Sequence, residues 1–269
     1  MQCFKNAQQI EQVNLLDRAF HYGDGCFSTA RIRQGQIELL ALHIARLKLS
    51  NERLKLNADL SLIEDTLKLL RKQDVVNGTL KIVLSRGIGQ RGYSLPEHPA
   101  DVWVFYYPKT VADFEYETVE SGVLHQAIGL TMPSLVGLKS LNRLEQVMLK
   151  AELDQTPWGE ALVTDVQGTV VEGVSSNCFI RTNEGWITPE LRYNGVHGVM
   201  RAEILKRMQQ LQIPCTQRHV NMDEITHFQS VFFCNALSPM KIASTLNRVE
   251  LDVQACIELF RTLQLSQIR

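Results

Sequence analysis

The sequence predicts a mixed α/β (α+β) protein of two domains, a smaller N-terminal α/β domain and a larger C-terminal domain with an antiparallel β core. The chain has 269 residues and is 45% hydrophobic, which is enough for two compact cores. Helical and strand patterns alternate along the first half, and short strands joined by turns follow in the second. We place the N-terminal domain at 1–110, an interdomain joint at 111–121 and the C-terminal domain at 122–269.

The N-terminal elements follow from the spacing of apolar residues. Leucines recur at helical spacing over 42–56 and 59–72, so two helices are expected there. GTLKIVLS (78–85) alternates between apolar and polar residues, and VWVFYY (102–107) is a buried strand candidate that stops before Pro108. Both patterns predict strands.

The C-terminal half begins with a predicted β segment, VLHQAIGLTM, and continues into a helix. The apolar stripe expected to be buried on that helix comprises Leu141, Leu144, Met148 and Ala151. ALVTD, TVVEG, SNCFIRT and WIT, with turns between them, predict an antiparallel meander over 161–188. A helix from about 199 to 211, a strand around SVFFCNA and a final amphipathic helix complete the domain.

Composition argues against several classes of protein. The net charge is -1, from 28 basic and 29 acidic side chains without long single-sign stretches, so nucleic acid is not an expected partner. The N-terminus carries no secretion signal pattern and no apolar stretch approaches the roughly 20 residues of a membrane span. We therefore expect a cytoplasmic protein without membrane association. Six cysteines without a C-x-x-C pair and seven dispersed histidines indicate reduced thiols and no metal site.

A single lysine stands out in the segment LVGLKSLNRLEQVML (135–149). Lys139 follows Val136, Gly137 and Leu138 and precedes the predicted helix. Burial lowers the pKa of a lysine because it penalises the charged form, and a neutral amine can form a Schiff base with an aldehyde. The alternative interpretation is a lysine that lays its stem over apolar surface with its ammonium group in solvent.

Three further patterns are compatible with the same chemistry. Glu172 ends a predicted strand in TVVEGVSSNCF, where a polar turn carboxylate is the alternative. Gly195 and Gly198 precede a helix that begins near Val199. Free N–H groups at a helix start bind phosphate, although a simple loop or a glycine C-cap also explains the glycines. Arg46 lies in the apolar helical stretch LHIARL, where a surface ion pair is the alternative.

These groups together describe a pocket for pyridoxal 5'-phosphate. The lysine would hold an aldehyde, the carboxylate would pair with a pyridinium nitrogen, and the arginine and helix start would bind a phosphate. Each signal is weak alone, and their order and spacing along the chain give the prediction its weight.

The same residues carry a resemblance to a known family, the class IV pyridoxal-phosphate enzymes, which include branched-chain aminotransferases, D-amino-acid aminotransferases and 4-amino-4-deoxychorismate lyase. The motifs that look like this family are HYGDGCFSTARI (21–32), LHIARL (42–47), GLKSLNRLEQ (137–146), VVEGVSSNCF (170–179) and GVHGVMR (195–201). They cover nearly the whole chain in the family's order.

The resemblance implies a two-domain homodimer with the cofactor between the domains. By position, Lys139 resembles the Schiff-base lysine and Glu172 the partner of the pyridine nitrogen. Arg46 with the N–H groups of Val199 and Met200 resembles the phosphate clamp.

Departures from the aminotransferase pattern look like those of the lyases. Branched-chain aminotransferases usually have Phe-Glu-Gly-Ile-Arg where this chain has FSTAR (27–31), which places Thr29 at their glycine. They have Gly-Thr-Ala where this chain has Asn235 followed by alanine, and SRGIGQRGYS adds Arg91. The resemblance implies a catalytic Thr29 and a substrate-binding Arg91 and Asn235. The alternatives are a strand threonine with backbone contacts, a surface loop arginine and a turn amide.

We therefore expect conversion of 4-amino-4-deoxychorismate to 4-aminobenzoate and pyruvate, a step of folate biosynthesis. Lys139 would act as the base and Thr29 as the proton donor. One rival is a D-amino-acid or branched-chain aminotransferase, which would use the same lysine and carboxylate. A second rival is a catalytically silent pyridoxal-phosphate-binding protein of the same fold. Arg143 receives no role from the sequence and is interpreted as an exposed helix arginine.

Overall fold

The computed structural model describes residues 1–73 and 76–268. The chain forms two compact units. Unit 1 comprises Met1–Ala112 and Leu138–Asn142, and unit 2 comprises Asp113–Gly137 and Arg143–Ile268. Across the described ranges, no helix combines the length and the apolar composition that crossing a bilayer requires.

Unit 1 combines one antiparallel sheet with helices. Its strands are β1 (Gln2–Lys5), β2 (Gln8–Gln9), β3 (Gly25–Arg33), β4 (Gln36–Ile37), β5 (Gly78–Ser85) and β6 (Asp101–Pro108), and its helices are α1 (Arg18–Tyr22), α2 (Leu40–Arg53) and α3 (Ser61–Leu70). In the part of the chain that the structure describes, the strand order is β2-β1-β6-β5-β3-β4, and every pair is antiparallel. The two helices and two strands predicted for this half are confirmed.

The alternation of side chains along β3 gives its two faces different roles. Cys26, Ser28 and Ala30 are buried on one face of the strand, and Phe27 and Thr29 are half-buried on the other. The buried face packs with leucines of α2 and α3 in the core of unit 1. The opposite face is therefore open to carry functional groups.

The segment Leu138–Asn142 belongs to unit 1, although the sequence placed it in a C-terminal domain at 122–269. The reason is backbone pairing with β3. The N–H of Phe27 donates to the carbonyl of Lys139 at 2.9 Å, and the N–H of Leu141 donates to the carbonyl of Gly25 at 3.0 Å. The lysine is thus fixed to the strand that carries Thr29.

Unit 2 is built on a larger mixed sheet. Its strands are β7 (Glu117–Val123), β8 (Glu160–Thr164), β9 (Val170–Gly173), β10 (Asn177–Thr182), β11 (Gly185–Pro189), β12 (Cys215–Arg218), β13 (Ser230–Asn235), β14 (Ser238–Leu246) and β15 (Val249–Glu250), and its helices are α4 (Leu144–Leu153), α5 (Val199–Gln210) and α6 (Val253–Thr262). Short 3₁₀ turns lie at Pro133–Leu135, Met222–His227 and Leu265–Gln267. Over the described residues the order is β12-β11-β10-β13-β14-β7-β8-β9, with β15 beside β14.

The centre of this sheet is antiparallel, as the sequence predicts. The pairs β10–β11, β10–β13 and β13–β14 are antiparallel, whereas β7 runs parallel to both β14 and β8. Phe179, Phe232 and Phe233 are fully buried in these central strands. Burying such large rings contributes about 2–3 kcal/mol each, so the aromatic centre is a main source of stability for unit 2.

Two sequence predictions for unit 2 are wrong in topology. The expected meander over 161–188 is two separate hairpins, because β9 is at one end of the sheet order while β10 pairs with β11 and β13. The strand expected over VLHQAIGLTM (123–132) lies instead at β7, which ends at Val123 and has most of its residues in the predicted joint at 111–121. Hydrogen bonds to β14 and β8 hold β7 in the sheet despite its polar sequence.

The apolar stripe predicted for the lysine helix is also wrong. Leu141 precedes α4, and Leu144 and Met148 are exposed in this chain at 72% and 49%. The buried residues of α4 are Leu149 and Leu153. The inward face of α4 is thus displaced by one position from the face inferred from the sequence.

Candidate active site

The side chain of Lys139 lies over an aromatic ring of β3. Its Nζ is 4.9 Å from the centroid of the Phe27 ring, and the side chain is half-buried. This is neither the full enclosure expected from the apolar sequence nor a side chain in bulk solvent. An ammonium group at this distance from an aromatic face is attracted to it. The ring and the backbone pairing to β3 together fix the position of the amine.

Thr29 lies on the same face of β3 as Phe27, because side chains two residues apart point to the same side of a strand. Thr29 is opposite Lys81 of β5 in the antiparallel register. The Nζ of Lys81 is 4.8 Å from the Phe27 ring centroid. The amines of Lys81 and Lys139 therefore lie near one aromatic ring, on the face of β3 that also carries Thr29.

Lys81 is a functional candidate that the sequence did not single out. In GTLKIVLS it is one polar residue of an alternating strand, which is typical of a solvent-exposed position. Only the pairing of β3 with β5 places it opposite Thr29. Its charge suits a substrate carboxylate.

Arg46 is held on the other, buried side of β3. It projects from α2, and its Nη2 donates to the hydroxyl of Ser28 at 2.5 Å. Ser28 is also within 2.6 Å of Nδ1 of His43, which precedes Arg46 by one helical turn. Burial lowers the pKa of Arg46 to about 10, so the guanidinium group keeps its charge at neutral pH.

Glu172 is a buried carboxylate at the end of β9. Its Oε2 accepts a hydrogen bond from Nδ2 of Asn177 at 3.1 Å and one from the N–H of Val196 at 2.9 Å. The amide of Asn177 also donates to the carbonyl of Val196 at 2.9 Å. These bonds fix the carboxylate against the segment that leads into α5, and they rule out the alternative of a solvent-exposed turn residue.

The N-terminus of α5 has the geometry of an anion site. Gly198 is the N-cap, and no side chain caps the first turn, which begins with Val199 and Met200. A Cβ on Gly198 would lie 2.0 Å from Oδ1 of Asn177, so only glycine fits there without displacement. Gly195, at φ 77°, has the left-handed conformation that favours glycine. The glycines therefore shape this helix start, and they are not a helix C-cap.

These observations fit a phosphate-bearing aldehyde cofactor. Nε of Arg46 is buried and has no hydrogen-bond partner among residues 1–73 and 76–268. A phosphate oxygen would satisfy it. The uncapped first turn of α5 offers backbone N–H groups and a favourable dipole to the same kind of anion. Lys139 would be the amine for the aldehyde and Glu172 the partner of a ring nitrogen.

The two predicted substrate-binding residues are placed less distinctively. Arg91 is exposed in the loop that follows β5, and the neighbouring Gly92 is held by Arg18 and by the hydroxyl of Tyr22. Oδ1 of Asn235 accepts from the N–H groups of Leu237 and Ser238, at 2.9 and 3.0 Å. Asn235 thus stabilises a turn through its oxygen, and its role toward substrate stays a prediction.

Arg143 is half-buried at the start of α4, and not the exposed helix arginine that the sequence suggested. Burial lowers its pKa, and the nearby carboxylate of Glu172 opposes that shift. In unit 1, the structure brings Lys139 and Thr29 to one face of β3, with Arg46 on the other. In unit 2 it brings Glu172 beside the α5 N-terminus.

Comparisons of sequence and of structure relate the chain to the same group of proteins. The sequence profile described as amino-transferase class IV matches residues 25–244. The chain is 33% identical over 257 residues to an aminodeoxychorismate lyase of Vibrio harveyi, covering 94% of each chain. A solved 4-amino-4-deoxychorismate lyase from Pseudomonas aeruginosa matches with a TM-score of 0.85 and 32% identity, over 97% of this chain and 96% of that one.

Solved aminotransferases share the fold as well. A branched-chain aminotransferase from Thermoproteus uzoniensis matches with a TM-score of 0.84 over 98% of this chain and 93% of that one, at 19% identity. Since both kinds of enzyme match with nearly the same TM-score, the fold alone does not separate their activities.

Proposed function

The chain belongs to the amino-transferase class IV family, and from that premise we propose that it is an aminodeoxychorismate lyase with pyridoxal 5'-phosphate as its cofactor. It would convert 4-amino-4-deoxychorismate to 4-aminobenzoate and pyruvate. The observation that carries the proposal is the shared face of β3, where Thr29 and Phe27 point to the same side and the Phe27 ring contacts the ammonium group of Lys139. The identity of 33% to the Vibrio harveyi lyase supports it. The family predicted from the sequence is confirmed.

The reaction requires one proton removal and one proton delivery. When bound, the cofactor accepts electrons from the substrate carbon that bears the amine, which makes the proton on that carbon acidic. Lys139 is the base that removes this proton. Aromatisation of the ring then breaks the carbon–oxygen bond to the enolpyruvyl group. The hydroxyl of Thr29 delivers a proton to the methylene carbon of the departing enolate, which gives pyruvate, and the ammonium group of Lys139 restores the hydroxyl proton.

Substrate binding requires positive charge, because the substrate carries two carboxylates. Lys81 is suited to one of them, since it lies on the face that carries Thr29 and Lys139. Arg91 is proposed for the other because a loop arginine can bind a carboxylate with two parallel hydrogen bonds. Asn235 is proposed to donate from its amide nitrogen, since its oxygen is engaged in the turn.

Cofactor binding is assigned to five groups. In unit 1, Lys139 takes the aldehyde end and Arg46 the phosphate. In unit 2, Glu172 pairs with the ring nitrogen and keeps it protonated, and the N–H groups of Val199 and Met200 bind phosphate.

The wider setting of the enzyme is also a proposal. We infer a homodimer acting in the cytoplasm in folate biosynthesis. The exposed apolar residues Leu144, Val147 and Met148 on α4 support an assembly that covers them. Sedimentation equilibrium of the loaded protein tests the stoichiometry.

A product assay tests the activity. Purified, cofactor-loaded protein is mixed with 4-amino-4-deoxychorismate and no keto acid, and aromatic product and pyruvate are measured separately. We expect equal amounts of both. A parallel assay supplies D-alanine and 2-oxoglutarate. Robust transamination without 4-aminobenzoate would identify an aminotransferase, and a yellow protein that turns over no amine would identify a silent cofactor-binding protein.

A further inference from the structure

We propose that Ser28 and His43 are positioning residues that hold Arg46 in the orientation required to bind the cofactor phosphate. The inference rests on the proposed cofactor and adds residues to its site. It concerns the buried side of β3, opposite the face that carries Thr29.

The three side chains form a linear hydrogen-bonded series. Nη2 of Arg46 donates to Oγ of Ser28 at 2.5 Å, and Oγ of Ser28 lies 2.6 Å from Nδ1 of His43. Ser28 is completely buried, and His43 is 1% exposed. Water therefore does not compete for the hydrogen bonds of the Ser28 hydroxyl.

The arginine sets one proton direction in this series. A guanidinium group has only donors, so Ser28 must accept from Arg46. We assign the hydroxyl of Ser28 as the donor to Nδ1 of His43, which corresponds to a neutral ring with its own proton on Nε2. Burial and the charge of Arg46 lower the pKa of His43 to about 3, so the ring is neutral at any physiological pH.

The charge of Arg46 has no internal counter-ion. Arg18 and Arg86 in unit 1 both pair with Asp24, at 2.8 and 2.9 Å, and Arg31 pairs with Glu38. Throughout the described ranges, no carboxylate forms an ion pair with Arg46. The neutral hydroxyl of Ser28 holds it instead, and its Nε is buried without a partner among the described residues.

This arrangement is that of an arginine kept ready for an external anion. A carboxylate in place of Ser28 would neutralise the guanidinium group and compete with a phosphate for its donors. A hydroxyl fixes one nitrogen without removing the charge. Neutral His43 in turn prevents the hydroxyl from rotating away. Adjacent residues of β3 therefore have different proposed roles. Ser28 orients the arginine that binds the phosphate, and Thr29 delivers a proton to the substrate.

Comparing two cofactor forms tests this inference without measuring catalysis. Apo-protein is titrated with pyridoxal 5'-phosphate and with pyridoxal, which has the same aldehyde and ring but no phosphate. The readout is the dissociation constant of pyridoxal divided by that of pyridoxal 5'-phosphate. A general loss of structure weakens the binding of both ligands and leaves the ratio nearly unchanged. A misdirected Arg46 weakens only the binding of the phosphorylated ligand.

Ser28→Ala is expected to reduce this ratio by about tenfold, the typical effect of one charge-assisted hydrogen bond. Ser50→Ala is the matched control. Ser50 is equally buried on α2, but its hydroxyl donates to the backbone carbonyl of Arg46 at 2.9 Å and does not touch the guanidinium group. The ratio for Ser50→Ala should stay within twofold of wild type.

A second pair of variants keeps the test decisive if Ser28→Ala does not fold. His43→Asn retains an amide oxygen near the position of Nδ1 and should keep the ratio, whereas His43→Leu should reduce it. A wild-type ratio in both Ser28→Ala and His43→Leu overturns the inference. If wild-type apo-protein shows no preference for the phosphorylated form, the proposed cofactor itself is wrong, and the inference falls with it.

Discussion

At the scale of single residues, the exposed side of β3 concentrates the proposed proton chemistry. Lys139 lies over Phe27, Thr29 shares that face, and Lys81 is opposite Thr29 on β5. A base on the segment that pairs with β3 and a hydroxyl on β3 itself can exchange a proton without a large movement of the chain. The adjacent positive charge of Lys81 suits an anionic substrate.

Replacement of Thr29 tests the proton delivery. Thr29→Val keeps the shape of the side chain and removes the hydroxyl, so we expect kcat to fall by about 10²-fold, a typical loss for general acid catalysis. Thr29→Ser should retain most of the activity. Steady-state kinetics measures kcat, and absorbance titration should show unchanged cofactor binding. A Thr29→Val enzyme with wild-type kcat would remove Thr29 from the mechanism.

Replacement of Lys81 tests substrate recognition. Lys81→Met removes a charge that would pair with a substrate carboxylate, so kcat/KM should fall roughly tenfold or more, mainly through KM. Lys81→Arg should preserve much of the affinity, and Lys68→Met, on the exposed surface of α3, is the control. Equal KM values for Lys81→Met and Lys68→Met would contradict the assignment.

Sequence motifs singled out Lys139 and Glu172 as candidates, because each lies in a continuous segment whose pattern resembles the family. They were not sufficient for Lys81, Ser28 or His43. Ser28 and His43 are 15 positions apart in the sequence, and they come into contact only because β3 packs against α2. Such a pair leaves no local periodic signal in the sequence.

At the scale of secondary-structure elements, the start of α5 requires a glycine at position 198, which has no side chain. A Cβ at Gly198 would lie 2.0 Å from Oδ1 of Asn177, whose amide also bonds Glu172. Gly198→Ala should therefore displace the helix start and the carboxylate together.

We expect Gly198→Ala to cost about 1–3 kcal/mol of stability through overpacking and to weaken cofactor binding. Gly129→Ala is the control, since a Cβ there meets nothing within 4 Å and the residue lies in the same unit. Urea unfolding and titration with the cofactor measure the two effects. Identical behaviour of the two variants would show that the glycine is not required.

The elements themselves were largely predictable, but their neighbours in the sheet were not. Leucine spacing correctly indicated α2 and α3, alternation indicated β5, and an apolar stretch indicated β6. The separation of β9 from β10 in the sheet could not be inferred from the sequence. Strands that are adjacent in sequence usually pair as a hairpin, but β9 pairs with β8 and β10 pairs with β11 and β13. The buried side of α4 was misassigned because apolar residues lie on both of its faces, and Leu144 and Met148 are exposed whereas Leu149 and Leu153 are buried.

At the scale of the whole molecule, His43 couples stability to pH. Its folded-state pKa of about 3 is below its unfolded value of 6.5, so the unfolded chain binds more protons as pH falls below 6.5. Stability is therefore lost with acidification between these values. The contribution of this one residue is about 2 kcal/mol between pH 7 and pH 5.

Urea unfolding of apo-protein at pH 7 and pH 5 measures this effect. His43→Asn should lose less stability on acidification than wild type, by about the same 2 kcal/mol. If the two proteins lose equal stability, the ring is not the buried neutral group that the Ser28 contact requires.

Each unit contributes defined groups to the proposed enzyme, an amine, a hydroxyl and an arginine from unit 1 and a carboxylate and helix N-terminus from unit 2. The most direct test of the account is borohydride reduction of the cofactor-loaded protein, followed by peptide mass mapping. We predict that the reduced cofactor is attached to the peptide containing Lys139, and that Lys139→Ala abolishes the label. Attachment to Lys81, or an undiminished label in Lys139→Ala, would contradict the account.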